Sequence, residues 1–312
     1  MKKGKIFVLL RALRVSQWMK NLVIFTAIIF SGKLFDLPTF VSTFYAFLIF
    51  CLLSSTSYVL NDIIDYPYDR KHKIKKYRPI ASGEISLPQA SFIVFILTLV
   101  SLILSLFFSI PFFLLSLLFI VLHFFYSLYL KKYPTIDIFT ISISFMIRTF
   151  AGEIASGYHI PIWLTLTIFF VSLFMATIKR HAELVTHGAE TRESLGQYKE
   201  HYLDFLTQTF AAVTILAYAT YTYYATYTAG EILPEIKTRF SPFFTNYFPG
   251  FEARKWMMIT IPFVVYGIAR YAQLLYEKTE GERPEKLITT DIPLIVTIGL
   301  WGTIVISLIY LL

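Results

Sequence analysis

The feature that most constrains this chain is a succession of nine apolar runs, each close to the length that crosses a lipid bilayer. A spanning helix needs about 20 predominantly apolar residues. The runs lie at 18–35, 39–60, 88–109, 111–130, 136–156, 161–179, 205–229, 256–276 and 291–312. Charged residues make up only 15% of the chain, against roughly 25% in a soluble domain. No stretch between the runs is long enough for a soluble domain of any size. The expected fold is therefore all-α: a nine-transmembrane-helix bundle forming one domain over residues 1–312. Residues 1–17 read as an amphipathic segment on the membrane surface. The stretch IFVLL is too short for a cleavable signal, and Arg11 and Arg14 break the apolar character directly after it.

The basic residues orient the bundle. With the N-terminus inside, 22 of the 28 Lys and Arg fall in the N-terminal tail, in loops on the same side or in the parts of the runs that adjoin them. Arg148 lies within a span, and five fall outside: Lys33, Lys237, Arg239, Arg254 and Lys255. That bias predicts a multi-pass protein of the cytoplasmic membrane with its N-terminus in and its C-terminus out. A net charge of +8 then needs no nucleic acid; it suits a membrane surface and anionic substrates. The single cysteine, Cys51, lies inside the second run and excludes an intrachain disulfide. The histidines are scattered and suggest no zinc site.

At the end of the second run the chain reads YVLNDIIDYPYDR, with KHKIKKYRPIASG immediately after it. Ionisable residues at a membrane boundary point to function. Asp62, Asp65 and Asp69 are spaced +3 and +4, which predicts one helical face. Their mutual repulsion would be relieved by a cation. Together with Asn61 they offer the oxygen ligands that Mg²⁺ (or Mn²⁺) takes, completed by substrate phosphates and water. Arg70, Lys71, Lys73, Lys75, Lys76 and Arg78 come next and suit phosphate oxygens. The bland alternative is a solvated helix end and its positive loop. Pro67 disfavours helix at Tyr66 and places Asp69 on a turn.

Two further loops on the same side carry most of the remaining polar residues. One begins with Lys179, Arg180 and Glu183 and continues through Arg192 and Tyr198; the other holds Arg283, Glu285 and Asp291. A solvated face is the plain reading of both. Taken with the acidic motif they predict a cavity open to the cytoplasm. Arg148 and Glu153, five apart in the fifth run, suit either a structural pair or a ligand role. The stretch 230–255, with Pro234, Pro242 and Pro249, suits an outer cap without chemistry of its own.

The stretch NDIIDYPYD, Asn61 to Asp69, resembles the first Asp-rich motif, NDxxDxxxD, of the UbiA superfamily of intramembrane prenyltransferases, whose members are nine-helix bundles. Further segments are similar to its decaprenyl-phosphate phosphoribosyltransferase branch: RVSQWMKN (Arg14 to Asn21), RPIASG (Arg78 to Gly83), SLYLKKYPTID (Ser127 to Asp137), FMIRTFAG (Phe145 to Gly152), KRHAEL (Lys179 to Leu184) and PEKLITTD (Pro284 to Asp291). Prenyltransferases acting on aromatic acceptors usually carry a second Asp-rich motif in the sixth–seventh loop. This loop has no aspartate before Asp204 and carries KRHAEL instead.

The resemblance implies Mg²⁺-dependent transfer of 5-phosphoribosyl from phosphoribosyl pyrophosphate to a polyprenyl phosphate. Asn61, Asp62, Asp65 and Asp69 would hold the metal, with Asp62, Asp65 and Glu183 in catalytic roles. Lys20, Asn21, Arg70, Arg78, Lys131, Asp137, Arg148, Lys179, Arg180, Arg192, Tyr198, Glu285 and Asp291 would contact substrate. A homo-oligomer is compatible with the sequence. One alternative is a prenyltransferase joining a prenyl diphosphate to a small acceptor; another is a transporter, although transporters set ionisable residues near the midplane.

Overall fold

Hydropathy averaged over twenty residues locates spans well, and the helices fall where the apolar runs lie. The computed structural model describes residues 4–72, 74–187, 195–232, 253–278 and 290–310. Among them eight helices are long and apolar enough to cross a membrane. The chain divides into two compact units, residues 1–26, 37–140 and 147–157 in one, and 27–36, 141–146 and 158–312 in the other.

The first unit opens with α1 (Lys5–Ala12), whose Ile6, Phe7, Leu9 and Leu10 are exposed, as expected of a segment lying on lipid. The first apolar run is not a regular α-helix. It is an 11-residue 3₁₀ stretch, Val15–Phe25, running into the five-residue α2 (Thr26–Phe30). A 3₁₀ helix rises about 2.0 Å per residue against about 1.5 Å for an α-helix, so this short run reaches further than its length suggests. Trp18 Nε1 donates to Ser55 Oγ at 3.0 Å, and that hydroxyl donates to the Leu13 carbonyl at 2.9 Å.

α3 (Leu37–Ile64) has 28 residues, or about 42 Å of helix, longer than the ~30 Å hydrocarbon core. Its C-terminal end carries Asn61 and Asp62, beyond the apolar run. It packs on α5 (Leu87–Phe108) and α6 (Ile110–Leu128). Ser86 starts α5 with a capping box to Gln89, which satisfies two backbone donors at once. Phe50 meets Phe112 and Phe119 edge-on, at 5.7 and 5.3 Å, in a core shared with Ile24, Leu53, Ile147 and Ala151. From α7 (Ile136–Ser156), Gly152 lies so close to the 3₁₀ stretch that a Cβ would fall 2.1 Å from the Ile24 carbonyl oxygen. Only glycine allows that approach.

In the second unit α8 (Ile162–His187) packs along α9 (Glu200–Ile232), with α10 (Ile261–Lys278) and α11 (Ile292–Tyr310) alongside. Its core joins Ala27, Ile160, Leu164, Tyr218 and Tyr221. Trp301 Nε1 donates to the Tyr218 hydroxyl at 2.8 Å. The Tyr310 hydroxyl donates to the carbonyls of Ile28 and Ile29 at 3.1 and 3.0 Å, tying α11 to the end of α2.

The sequence places Lys179, Arg180 and Glu183 at the start of a loop; the structure corrects this. α8 continues through His187. Apolarity ends near Lys179, but Ala182, Glu183 and Leu184 are good helix formers, and Ala182 is buried. The span ends before the helix does.

Candidate active site

The acidic motif occupies the C-terminal end of α3 and the turn after it. α3 stops at Ile64, and a four-residue helix α4 (Tyr66–Asp69) restarts with Pro67 in its first turn. Proline lacks an N–H and clashes with the preceding turn, so one continuous helix cannot pass this point. The single face predicted for Asp62, Asp65 and Asp69 is therefore split. Asp62 and Asp69, both buried, turn to one guanidinium: Arg78 Nη1 donates to Asp62 Oδ1 at 3.0 Å and to Asp69 Oδ2 at 2.7 Å. Asp65 faces elsewhere. Its Oδ1 accepts from Lys131 Nζ at 2.5 Å, and its Oδ2 from Asn61 Nδ2 at 2.9 Å.

Arg14 is the member that sequence reasoning missed. Its Nη2 donates to Asp62 Oδ1 at 2.5 Å, and its guanidinium lies 5.0 Å from the Tyr58 ring centroid. It belongs to the segment RVSQWMKN, but nothing in its spacing links it to an aspartate 48 positions away. Arg11 fastens the basic loop beside it, donating to the Tyr77 carbonyl at 2.7 Å and to Glu84 at 3.0 Å.

The donor set of three carboxylates and a carboxamide is of the hard-oxygen kind that Mg²⁺ selects. Among the described residues no three His, Cys, Asp or Glu side chains form a group able to hold an ion. Mg²⁺ commonly takes only one or two protein carboxylates and completes its shell with water and substrate phosphates. Arg78 already bridges two of the carboxylates as a positive group. Asp62 and Asp69, drawn to one point by Arg78, supply the two carboxylates that such an ion would need.

The other expected residues of the first unit are partly gathered here. Asn21 is fully buried and accepts from Arg148 Nε at 2.7 Å and from Ser54 Oγ at 3.1 Å. Arg148, itself buried, also lies 4.7 Å from the Phe119 ring centroid. Lys20 is half-buried on the same stretch. Asp137 is buried in the first turn of α7, where a carboxylate favours the helix dipole. Arg70 turns away from the aspartates to its own Tyr66, whose hydroxyl lies 3.3 Å from Nη1.

In the second unit, Arg180 is buried and pairs with Glu183 one turn along α8. Lys179 stands half-buried beside it. Buried His181 sets Nε2 3.4 Å from Asp204 Oδ1 and 3.8 Å from Glu200 Oε1. The Tyr276 hydroxyl donates to Asp204 at 2.8 Å. Tyr198 is buried and stacks on Tyr202 at 6.2 Å. Asp291 takes both Nε and Nη2 of Arg270, at 3.2 and 2.8 Å, and caps α11 through the Leu294 N–H at 3.0 Å. Arg192, Glu285, Lys73, Arg283 and most of the 230–255 stretch lie outside the described residues.

Comparison with known proteins identifies the family. The sequence profile of the UbiA prenyltransferase family matches residues 22–186, just over half of the chain. A decaprenyl-phosphate phosphoribosyltransferase from Corynebacterium glutamicum is 30% identical over 311 residues, covering 97% of this chain and 87% of that protein. One of the same name from Mycolicibacterium smegmatis is 34% identical over 217 residues, 67% of this chain and 68% of the relative. Among solved structures, a UbiA homolog from Archaeoglobus fulgidus bound to DMAPP and Mg²⁺ superposes with a TM-score of 0.68 at 19% identity, covering 96% of this chain and 98% of its own.

Proposed function

Because the chain belongs to the UbiA prenyltransferase family, and is thus a multi-pass membrane transferase, we propose that it moves a 5-phosphoribosyl group from phosphoribosyl pyrophosphate to a polyprenyl phosphate. The observation that carries this reading is the pairing of three motif aspartates with three basic side chains at the C-terminal end of α3. Such an array suits a metal-bound diphosphate. Similarity over 97% of the chain to a decaprenyl-phosphate phosphoribosyltransferase, and KRHAEL in place of a second acidic motif, support the phosphoribosyl donor.

Asn61, Asp62, Asp65 and Asp69 would hold Mg²⁺. The ion supplies charge neutralisation to the departing pyrophosphate. Arg78, Lys131 and Lys20 would orient phosphate oxygens by charge-assisted hydrogen bonds. The bond from ribose C1 to the pyrophosphate oxygen breaks, and the electron pair leaves with pyrophosphate. An oxygen of the acceptor phosphate forms the new bond to C1. That oxygen is anionic at neutral pH, so no side chain has to remove a proton. Carbon C1 carries positive character as the bonds exchange, as in other glycosyl transfers. From the sequence resemblance, Lys179 and Arg180 are proposed phosphate contacts, and Glu183 a ribose contact or a stabiliser of C1.

The test uses purified protein, radiolabelled phosphoribosyl pyrophosphate and a panel of polyprenyl phosphates and diphosphates. Label should enter lipid only with polyprenyl phosphate and should vanish with chelator. Turnover of a prenyl diphosphate with an aromatic acid, and none of the phosphoribosyl donor, overturns the reading. The proposed orientation, N-terminus inside, has its own check. In a Cys51→Ala background, an impermeant thiol reagent should label Phe35→Cys in intact cells and Lys76→Cys only in inside-out vesicles.

A further inference from the structure

Arg14 holds a backbone conformation that side chains other than Asn and Asp rarely adopt. Its φ and ψ are both 50°, in the left-handed region. From there its guanidinium runs along Tyr58 and ends on Asp62 Oδ1. Arg78 donates to that same oxygen. Asp62 is 3% exposed, and a buried carboxylate left alone is strongly unfavourable. The two guanidinium groups therefore stabilise the metal-free protein. An oxygen that accepts two cationic donors at 2.5 and 3.0 Å has no room for a third cation, and like charges at that range repel.

We infer that Arg14 is an internal counter-ion that competes with the metal for Asp62 and passes to a phosphate of the donor once the metal displaces it. This rests on the metal–diphosphate reading above. Arg78 keeps a second carboxylate, Asp69, when it leaves Asp62. The ion pair of Arg14 is with Asp62, and its side chain is a quarter exposed, so it has both the need for a new anion and the freedom to reach one. A diphosphate supplies that anion. Metal and donor then bind cooperatively, and the coupling acts equally in both directions.

The experiment titrates the full-length protein, in micelles and without substrate, with Mn²⁺ followed by its free-ion paramagnetic resonance signal. Arg14→Gly removes the competitor and suits the positive φ, so the variant should fold; thermal unfolding checks this. Loss of one adjacent charge should tighten Mn²⁺ binding about tenfold, while Arg14→Lys, which keeps the charge, should stay near the parent. The Arg14→Gly variant should also show a KM for phosphoribosyl pyrophosphate raised roughly tenfold, with kcat changed less. Asp62→Asn should lose the Mn²⁺ site. If Asp62→Asn loses the site but Arg14→Gly binds Mn²⁺ no tighter than the parent, the inference falls and the metal reading stands. If Asp62→Asn binds Mn²⁺ as well as the parent, the metal reading falls and takes the inference with it.

Discussion

The two units neutralise their charges differently. In the first, the motif aspartates take cations from 16, 48 and 66 positions away: Arg78 and Arg14 on Asp62, and Lys131 on Asp65. In the second, Arg180 and Glu183 pair within one helical turn, while Arg270 of α10 meets Asp291 at the start of α11, 21 positions away. A local pair forms whenever its helix forms. A long-range array exists only when several elements are in place, so it costs more to assemble and is better suited to being rearranged by a ligand. The array in the first unit is the one on which the proposed handling of substrate charge rests.

Activity should break this comparison first if it is wrong. Asp62→Asn and Asp65→Asn should each slow turnover about a hundredfold or more, the scale of removing a principal electrostatic contribution. Asp69→Asn should lose less, since Asp62 still engages Arg78. Glu183→Gln, in the local pair, should lose about tenfold. Initial rates on the radiolabelled donor decide it; a loss in Glu183→Gln equal to that in Asp62→Asn would erase the distinction.

Packing gives the next contrast. Gly152→Ala drives a methyl group into the Ile24 carbonyl oxygen. Backbone cannot step aside as a side chain can, so about 3 kcal/mol or more of stability should go. Gly267→Ala, in α10, meets nothing within 4 Å. Alanine there should be neutral or should stabilise by up to about 1 kcal/mol. Thermal unfolding in detergent should place the two on opposite sides of the parent; similar melting would contradict the close approach of α7 to the 3₁₀ stretch.

The smallest effects compare two ion pairs. Asp291→Ala loses a helix cap and a partly buried bidentate partner and should cost about 2 kcal/mol. Glu84→Gln touches the more exposed Arg11 pair and should cost about 0.5 kcal/mol or less. Unfolding midpoints at low and high salt would sharpen this, because only the more exposed pair should be strongly screened.

Much of the molecule is readable from residues alone. The spans lie where runs of about twenty apolar residues lie, because insertion in a bilayer responds to a local average of hydrophobicity. The acidic motif and its basic neighbours are local too, and Pro67 announces the break behind Asp65. Two features escaped that reading for the same reason. α8 runs on past its apolar part to His187, since helix propensity and burial of Ala182 sustain it after hydropathy has fallen. Arg14 lies in a recognisable segment, yet its role depends on a left-handed turn and on the packing of the 3₁₀ stretch against α3.

A membrane-spanning all-α chain with an acidic motif next to a basic loop is thus written in the residues themselves, because composition and short-range spacing suffice to specify it. The partners of each carboxylate are not. That Asp62 and Asp69 share Arg78, that Asp65 belongs to Lys131 and Asn61, and that Arg14 lies on Asp62 are products of the folded arrangement. Coulomb attraction depends on separation in space, and for these groups separation in space is set by helix packing between residues far apart in the chain.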